Sequence, residues 1–260
     1  MTMKTLFNVS GKVAVVSGGS SGIGAMMARG LLENGAKVYI TARKAERLMA
    51  MAEELSEFGD CIAIPSDMSS VEGIEALVAE ISTRESKIDI LINNAGSNWS
   101  APIEDFPEKG WDKVMDINIK SIFFATQKFL PLLKAAGNAD EPARIINIAS
   151  INGIRNPGMP TYAYTASKSG VINLTEHLAT DLASYSINVN AIAPGFFPSN
   201  MTKQIVENDE MTKFTISQIP RGRMGVPEDI AGTAIFLCSR ASSWLTGQTI
   251  VLDGGMISTA

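Results

Sequence analysis

Short apolar runs rich in valine and isoleucine alternate along the chain with longer amphipathic segments. Between the runs, segments such as 22–34 and 70–85 repeat apolar residues at helical spacing. Runs that are apolar on both faces and alternate with helices are typical of a parallel sheet covered on both sides. The pattern predicts an α/β fold, a Rossmann-type doubly wound parallel sheet of seven strands. The predicted strands are 12–17, 37–41, 61–65, 88–93, 144–149, 187–193 and 249–253.

No linker, shift in composition or internal repeat divides residues 1–260, so we expect a single domain. With 45% hydrophobic residues, a chain of this length can bury a large core. The longest late segment without a strand signal is 196–222. We interpret it as a candidate lid over a substrate site.

The composition excludes several classes of partner. A net charge of −5 provides no positive surface for nucleic acid or for acidic membranes. The sequence shows neither a basic-then-apolar leader nor an apolar run near membrane-spanning length. Cys61 and Cys238 match no metal or redox spacing and are interpreted as thiols in a reducing compartment. We therefore expect a cytoplasmic protein with no metal site.

The first predicted strand leads directly into the glycine-rich stretch SGGSSGIG, residues 17–24. Gly18, Gly22 and Gly24 permit a tight turn and a close approach to a diphosphate, which the first N–H groups of the next helix would bind. Because the turn follows a strand and opens a helix, it fits the dinucleotide-binding fingerprint. An ordinary strand-to-helix turn remains the alternative. A phosphate loop of the nucleotide-triphosphatase kind is disfavoured, since the pair Gly11–Lys12 precedes the strand.

The end of the second predicted strand indicates which dinucleotide binds. NAD sites usually place an acidic residue there for the ribose hydroxyls. This chain has Ala42 followed by Arg43. A guanidinium suits a 2′-phosphate, so the sequence favours NADP(H). The alternative is that Arg43 is a solvated charge beside Lys44 and Arg47.

The stretch TYAYTASKSG, residues 161–170, contains a candidate acid–base pair. On a helix, Lys168 lies on the same face as Tyr164, four residues earlier. A tyrosine has an unperturbed pKa of about 10, and a nearby ammonium lowers that pKa toward the range useful for catalysis. Tyr162 has Ala166 at the matching position. We therefore assign acid–base chemistry to Tyr164 rather than to Tyr162.

Several motifs occur together in one order, and in this combination the chain resembles the short-chain dehydrogenase/reductase family over essentially its whole length. The motifs are SGGSSGIG (17–24), NNAG (93–96), Asn118 in DINIKS, Ser150 in IINIAS, YTASK (164–168), IAPG (192–195), GRMGVPEDIA (222–231) and WLTGQTIVLDGG (244–255).

The resemblance implies a role for each matching residue. Tyr164 would transfer the proton and Ser150 would bind the substrate carbonyl. Lys168 would hold the nicotinamide ribose, and Asn118 would position a water beside it. Asp67 would accept a hydrogen bond from the adenine amino group. The implied cofactor contacts are Gly18, Ser20, Ser21, Gly22, Ile23, Gly24, Arg43, Asp67, Met68, Asn94, Ala95, Gly96, Tyr164, Lys168, Pro194, Gly195, Phe197 and Ser199.

Within the family, the resemblance is to bacterial β-ketoacyl (3-oxoacyl) reductases, including those associated with rhamnolipid synthesis. Apolar residues of the candidate lid could line a hydrophobic pocket or pack a subunit interface. An acidic carrier protein is disfavoured, because Thr180 stands where related reductases place an arginine and the segment 134–144 carries two acids. The candidate pocket residues are Trp99, Met159, Phe196, Phe197, Met201, Ile205, Met211, Phe214 and Ile216.

The sequence therefore predicts an NADPH-dependent oxidoreductase that acts on a hydrophobic ketone or alcohol. A non-catalytic NADP(H)-binding regulatory protein on the same fold is the alternative. A methyltransferase is disfavoured, since the tyrosine–lysine pair would have no role there. The resemblance also implies a homotetramer, assembled through the helices near 110–135 and 164–184 and through the C-terminal strand.

Overall fold

The computed structural model describes residues 3–156 and 158–258, and in this part of the chain seven parallel strands form one sheet. The strand order is β3-β2-β1-β4-β5-β6-β7. All seven predicted strands are confirmed, with ends that differ by two residues or fewer. The strands are β1 (Val13–Ser17), β2 (Lys37–Ala42), β3 (Cys61–Pro65), β4 (Ile90–Asn93), β5 (Ala143–Ile148), β6 (Ile187–Pro194) and β7 (Thr249–Leu252).

Helices follow the strands and cover both faces of the sheet. The candidate lid is not a plain loop, because it contains two of these helices, α7 and α8. The helices are α1 (Gly22–Glu33), α2 (Ala45–Leu55), α3 (Val71–Ser82), α4 (Glu108–Met115), α5 (Ser121–Ala136), α6 (Tyr162–Leu182), α7 (Lys203–Val206), α8 (Asp209–Ser217) and α9 (Pro227–Cys238). No helix among the described residues has the length and apolar character needed to cross a bilayer.

The core has two halves, one on each face of the sheet. Along β1, the buried side chains of Ala14 and Val16 belong to one cluster and that of Val15 belongs to the other. Successive strand residues point to opposite faces, so a strand that is apolar throughout must be covered on both sides. Helices α1 and α9 pack on the first face, while α3 and α5 pack on the second. This two-sided burial explains why the strands appear in the sequence as unbroken apolar runs.

The strand order reverses direction between β1 and β4. In open parallel sheets, ligands bind at the carboxyl ends of the strands beside such a reversal. Ser17 ends β1 and Asn93 ends β4, so the glycine-rich turn and the NNAG motif meet there. The topology thus brings distant motifs to one edge of the sheet.

Candidate active site

A cleft of about 950 Å³ opens at the carboxyl ends of the strands. It brings together nearly all the residues that the sequence assigned to cofactor and catalysis. Asp67 and Asn118 are the two that do not line it, although Ser66, Met68 and Ile117 beside them do. The predicted residues on its wall are Gly18, Ser20, Ser21, Gly22, Ile23, Gly24, Arg43, Met68, Asn94, Ala95, Gly96, Ser150, Tyr164, Lys168, Pro194, Gly195, Phe197 and Ser199.

The glycine-rich turn has the geometry that a diphosphate requires. Gly22 has a φ of 54°, in the left-handed region where a side chain is disfavoured. A Cβ on Gly24 would collide with the side-chain amide of Asn94 and the carbonyl oxygen of Gly18. The N-cap residue of α1, Ser21, makes no side-chain cap, so the first N–H groups of the helix remain available to an anion. These features fit the diphosphate of a dinucleotide.

Ser17 fastens this turn to the NNAG segment. Its hydroxyl oxygen accepts hydrogen bonds from the main-chain N–H groups of Asn94 and Ala95, each at 3.0 Å. In return, the Asn94 side-chain amide donates to the Ser17 carbonyl at 2.8 Å. Ser17 was not among the residues predicted for the site. Its position as the last residue of β1 was the available signal.

Arg43 lines the end of the cleft where the sequence predicts the adenosine, and Asp67 is adjacent in the chain to two lining residues, Ser66 and Met68. Among the described residues, Arg43 makes no hydrogen bond or ion pair, so its guanidinium is available for a phosphate. Asp67 accepts hydrogen bonds from the N–H and the hydroxyl of Ser69, at 3.0 and 2.7 Å. Burial alone would raise the pKa of Asp67, but these bonds and the charge of Arg43 outweigh it and lower the pKa. The adenine contact of Asp67 stays a prediction.

Ser150 and Tyr164 lie side by side at the other end of the cleft. Both are buried, with 7% and 9% of their surface exposed. Burial raises the pKa of the Tyr164 phenol above its ordinary value, and the neighbouring Ser150 hydroxyl acts in the opposite direction. The predicted lowering by Lys168 is therefore not found. The Lys168 ammonium lies 5.7 Å from the Tyr164 ring centroid, and desolvation dominates.

Lys168 is held beneath the tyrosine. Its Nζ donates a hydrogen bond to the carbonyl oxygen of Ile148 at 2.5 Å. An ammonium has three donors, and this is the only hydrogen bond of Lys168 among the described residues. Burial lowers the pKa of Lys168 to about 8. The group can therefore donate to a ribose hydroxyl, and it carries a full charge only below that pH.

Asn118 lies in a π-helical turn, Asp116–Lys120, that joins α4 to α5. Its side-chain amide donates to the Ser97 carbonyl at 3.0 Å and to the Ser167 hydroxyl at 2.9 Å. Its side-chain oxygen accepts from the Ser97 N–H at 2.8 Å. Both amide donors are thus occupied, so the side chain ties the loop after β4 to α6. If Asn118 contacts the predicted water, it must do so through an oxygen atom, which would accept the hydrogen bond.

Gly153 ties the turn that follows Ser150 to α6. The short turn Ile151–Gly153 packs directly on the backbone of α6, where a Cβ on Gly153 would lie 2.7 Å from the Lys168 carbonyl oxygen. The Ser169 hydroxyl donates to the Gly153 carbonyl at 2.8 Å. No role was predicted for this glycine from the sequence. The contact that makes it important is with a different element.

The predicted apolar lining is confirmed in part. Trp99 instead covers Gly110 of α4, where a Cβ would meet the indole ring at 2.8 Å, and it packs against the cluster that contains Tyr164. Phe214 and Ile216 do not line the cleft, and Phe214 is 69% exposed. The predicted apolar residues that do line it are Met159, Phe196, Phe197, Met201, Ile205 and Met211.

The chain is similar to known proteins over nearly its whole length. A family model described as "Enoyl-(Acyl carrier protein) reductase" matches residues 18–257. The rhamnolipids biosynthesis 3-oxoacyl-[acyl-carrier-protein] reductase of Pseudomonas aeruginosa is 46% identical, over 97% of this chain and 99% of its own. The 2-dehydro-3-deoxy-D-gluconate 5-dehydrogenase of Dickeya dadantii is 40% identical, over 97% and 98%.

A solved structure matches the fold over nearly the whole chain. The Pseudomonas aeruginosa RhlG/NADP active-site complex superposes with a TM-score of 0.95 at 45% identity, covering 98% of this chain and 99% of that one. In this chain the glycine turn, the free N–H groups of α1 and the unpartnered Arg43 fit NADP(H). The chain is therefore an NADP(H)-dependent oxidoreductase and belongs to the short-chain dehydrogenase/reductase family.

Proposed function

We propose that the protein reduces a hydrophobic ketone at the expense of NADPH, with Ser150, Tyr164 and Lys168 as its catalytic residues and Asn118 as a positioning residue. One observation carries the proposal. Two buried hydroxyls, those of Ser150 and Tyr164, adjoin each other in a cleft whose lid wall includes the apolar side chains of Phe196, Ile205 and Met211. Two neighbouring donors suit a single carbonyl oxygen, which gains negative charge as it is reduced.

The protein's own groups would act on that oxygen in sequence. NADPH held by the glycine-rich turn and Lys168 would supply the hydride for the carbonyl carbon. The Ser150 hydroxyl holds the carbonyl oxygen by a hydrogen bond, which fixes the carbon for attack. The Tyr164 phenol would then donate its proton to the oxygen, and Lys168 would hold the ribose of the bound cofactor. Since burial keeps the Tyr164 pKa above its ordinary value, the phenol is protonated at neutral pH and ready to act as the acid.

The apolar wall supports a hydrophobic substrate over a sugar acid. Ile205 and Met211 of the lid face the cleft together with Met159 and Phe196. The related enzymes carry names of both kinds, 3-oxoacyl reductases and gluconate-type dehydrogenases. A polyhydroxy acid would lose hydrogen bonds to water against such a wall, whereas an acyl chain would gain from its burial.

The form in which an acyl substrate arrives is a separate question. Thr180 still argues against an acidic carrier. The argument from segment 134–144 is weaker, because Glu141 is paired with Lys12 at 2.7 Å. Most of that segment precedes Ala143, the first residue of β5, and so lies at the amino ends of the strands, opposite the cleft. We propose a free or coenzyme-A-linked ketone.

A substrate panel with purified protein and NADPH tests the proposal. The panel contains a medium-chain 3-oxoacyl thioester, a simple hydrophobic ketone, a keto sugar acid and an enoyl thioester, and oxidation of NADPH is followed by absorbance. We expect turnover of the first two substrates. Preferred turnover of the sugar acid or of the enoyl thioester would contradict the proposal. Binding of NADPH without turnover of any substrate would favour the regulatory alternative.

We also propose that the protein is a cytoplasmic homotetramer. Two separate surfaces expose large apolar side chains: Trp111 and Phe123 on α4 and α5, and Trp244 and Val251 at the β7 edge. Two self-complementary interfaces generate a tetramer with D2 symmetry. The free thiols of Cys61 and Cys238 suit a reducing compartment. Light scattering at micromolar concentration should give four times the 27.7 kDa chain mass, and a monomer would contradict the assembly.

A further inference from the structure

The first residues of the lid cross directly over the glycine-rich turn. The Cβ of Ser199 lies 3.1 Å from the position that a Cβ on Gly22 would take. Thr202 fixes this crossing, since its hydroxyl donates to the Phe197 carbonyl at 2.6 Å and accepts from the Ser199 N–H at 2.9 Å. Asn200, the residue after Ser199, is thereby placed above the glycine-rich turn that would hold the cofactor's diphosphate.

Asn200 links three elements at this crossing. Oriented so that its side-chain oxygen faces donors, Asn200 accepts hydrogen bonds from both terminal nitrogens of the Arg47 guanidinium, at 2.8 and 2.9 Å. The same oxygen lies 3.2 Å from the Ser21 hydroxyl. The opposite orientation would direct an amide NH₂ group at the guanidinium, where no acceptor exists. The lid is thus fastened to the N-cap of α1 and to the first turn of α2.

The two arginines on this wall have different environments. Arg43 has no hydrogen-bond or ion-pair partner among the described residues, whereas Arg47 uses both terminal nitrogens on one neutral oxygen of the lid. Both arginines line the cleft. A guanidinium free of partners can take a 2′-phosphate without first breaking a bond. A guanidinium already holding the lid would have to release it.

We propose that Asn200, Arg47 and Ser21 form a clasp that retains the bound dinucleotide. The clasp controls how long either cofactor stays, while Arg43 controls which cofactor is preferred. The inference rests on the proposed function, because it takes the cleft as the NADPH site. A dinucleotide held under residues 199–202 must wait for the clasp to open before it leaves. The 2′-phosphate plays no part in that step, so release of NADPH and of NADH should respond equally.

Release rates measured by stopped-flow fluorescence test the clasp. Each cofactor is displaced from the full-length protein by an excess of a non-fluorescent oxidised dinucleotide. Asn200→Ala should release NADPH and NADH about three- to tenfold faster, as expected for losing an exposed hydrogen bond to a charged group. Arg47→Lys should do the same, since lysine keeps the charge but loses the two-pronged geometry. Gln218→Ala, an exposed lid substitution outside the clasp, is the matched control and should change nothing.

Two outcomes would overturn the clasp. Unchanged release rates in Asn200→Ala and Arg47→Lys would show that the contact does not retain the cofactor. Faster release of NADPH alone in Arg47→Lys would show that Arg47 binds the 2′-phosphate. Neither outcome affects the proposed function, whose failure would instead appear as no binding of NADPH to the unaltered protein.

Proteolysis in the absence of cofactor tests the same contact independently. Trypsin can cleave after Lys203 and Lys213, both of which lie in the lid. Asn200→Ala should be cut there several-fold faster than the unaltered protein, because the lid opens more often. Gln218→Ala should be cut at the original rate. Equal cleavage of both variants would contradict the clasp even if release rates changed.

Discussion

The two ends of the cleft are built from different parts of the chain. At the cofactor end, the wall is mainly backbone, because Gly18, Gly22 and Gly24 bring main-chain N–H groups to the edge of a buried sheet. At the substrate end, the wall is made of side chains, with Met159 from a loop and Ile205 and Met211 from the lid. The backbone turn requires glycines at fixed positions, so it can be predicted from the sequence. An apolar lining can be built from many residues, so it is predicted less well.

This difference explains which functional assignments are firm. A glycine turn between a buried strand and a helix accepts few other sequences, so it points to one class of ligand. An apolar lid residue can face the substrate, the core or a neighbouring subunit. Phe197 and Phe214 show the range, since one is 3% exposed and the other 69%. The cofactor end therefore identifies the chemistry, while the substrate end has to be tested.

Removing the catalytic hydroxyl should have the largest effect of any single change. Tyr164→Phe should lower kcat for ketone reduction by about 10²–10⁴-fold, the usual contribution of a positioned acid. NADPH affinity should change little, because the diphosphate and adenosine contacts lie at the other end. Tyr162→Phe is the matched control, since Tyr162 stacks edge-on against Phe106 and is 40% exposed. A slow Tyr162→Phe beside an active Tyr164→Phe would reverse our assignment.

Adding a side chain to the glycine-rich turn should have the next largest effect. Gly24→Ala would push a methyl group into the Asn94 amide and the Gly18 carbonyl. We expect a loss of about 1–3 kcal/mol in the free energy of unfolding, with weaker NADPH binding, since backbone atoms cannot easily move aside. Urea unfolding and fluorescence titration measure the two effects.

Gly232→Ala provides the control for that substitution. Gly232 lies in α9, and a Cβ there meets nothing within 4 Å. An alanine in an open helical position should stabilise the protein by about 0.5–1 kcal/mol. Equal effects of alanine at the two glycines would mean that the glycine-rich turn is not tightly packed.

Removing Arg43 tests whether this residue gives the cofactor end its preference for NADPH over NADH. Arg43→Ala should weaken NADPH binding by about 1–3 kcal/mol, the range for a charge-assisted hydrogen bond. NADH binding should change little, because NADH has no 2′-phosphate. Parallel titrations with both cofactors give the answer. Equal losses for NADPH and NADH would remove Arg43 from the 2′-phosphate site.

The parts that sequence predicted well share a local origin. All seven strands, the start of α1 at Gly22 and the Tyr164–Lys168 pair follow from residues close together in the chain. The parts it missed are long-range contacts. Examples are Gly153 against the backbone at Lys168 and the clasp between Asn200 and Arg47. No pattern along one segment can indicate which distant residue will face it.

The pKa of Tyr164 was wrongly predicted for a related reason. The i,i+4 spacing correctly placed an ammonium nearby, and that spacing alone favours a lowered pKa. The degree of burial depends on what covers the pair, including Trp99 and Val114 from outside α6. Desolvation raises the pKa of Tyr164 and lowers that of Lys168 to about 8. The sequence indicated that the charge of Lys168 lies near Tyr164. It did not indicate how deeply other elements bury the pair.

The titration of Lys168 should appear in cofactor binding. Below its pKa of about 8 the group is an ammonium that can hold the ribose, and above it the group is neutral. NADPH affinity should therefore fall as the pH rises through about 8, by up to about tenfold for each further unit. Fluorescence titrations across this range measure the change. Lys168→Met should bind weakly with no such inflection, and an inflection that persists in this variant would assign it to another group.

The smallest expected effect lies at the substrate end, and it distinguishes a lid that contacts substrate from one that only covers the cofactor. Met211 lines the cleft but is 47% exposed, so truncating it removes only part of a hydrophobic contact. Met211→Ala should raise KM for a medium-chain ketone about two- to fivefold, from about 0.5–1 kcal/mol of lost burial, and leave kcat and NADPH affinity nearly unchanged. Phe214→Ala is the control on the same helix, because Phe214 points away from the cleft and should not change KM. A short-chain ketone provides a second control, since a substrate that does not reach α8 should respond to neither variant. If Phe214→Ala rather than Met211→Ala raises KM, the lid must close differently over the substrate.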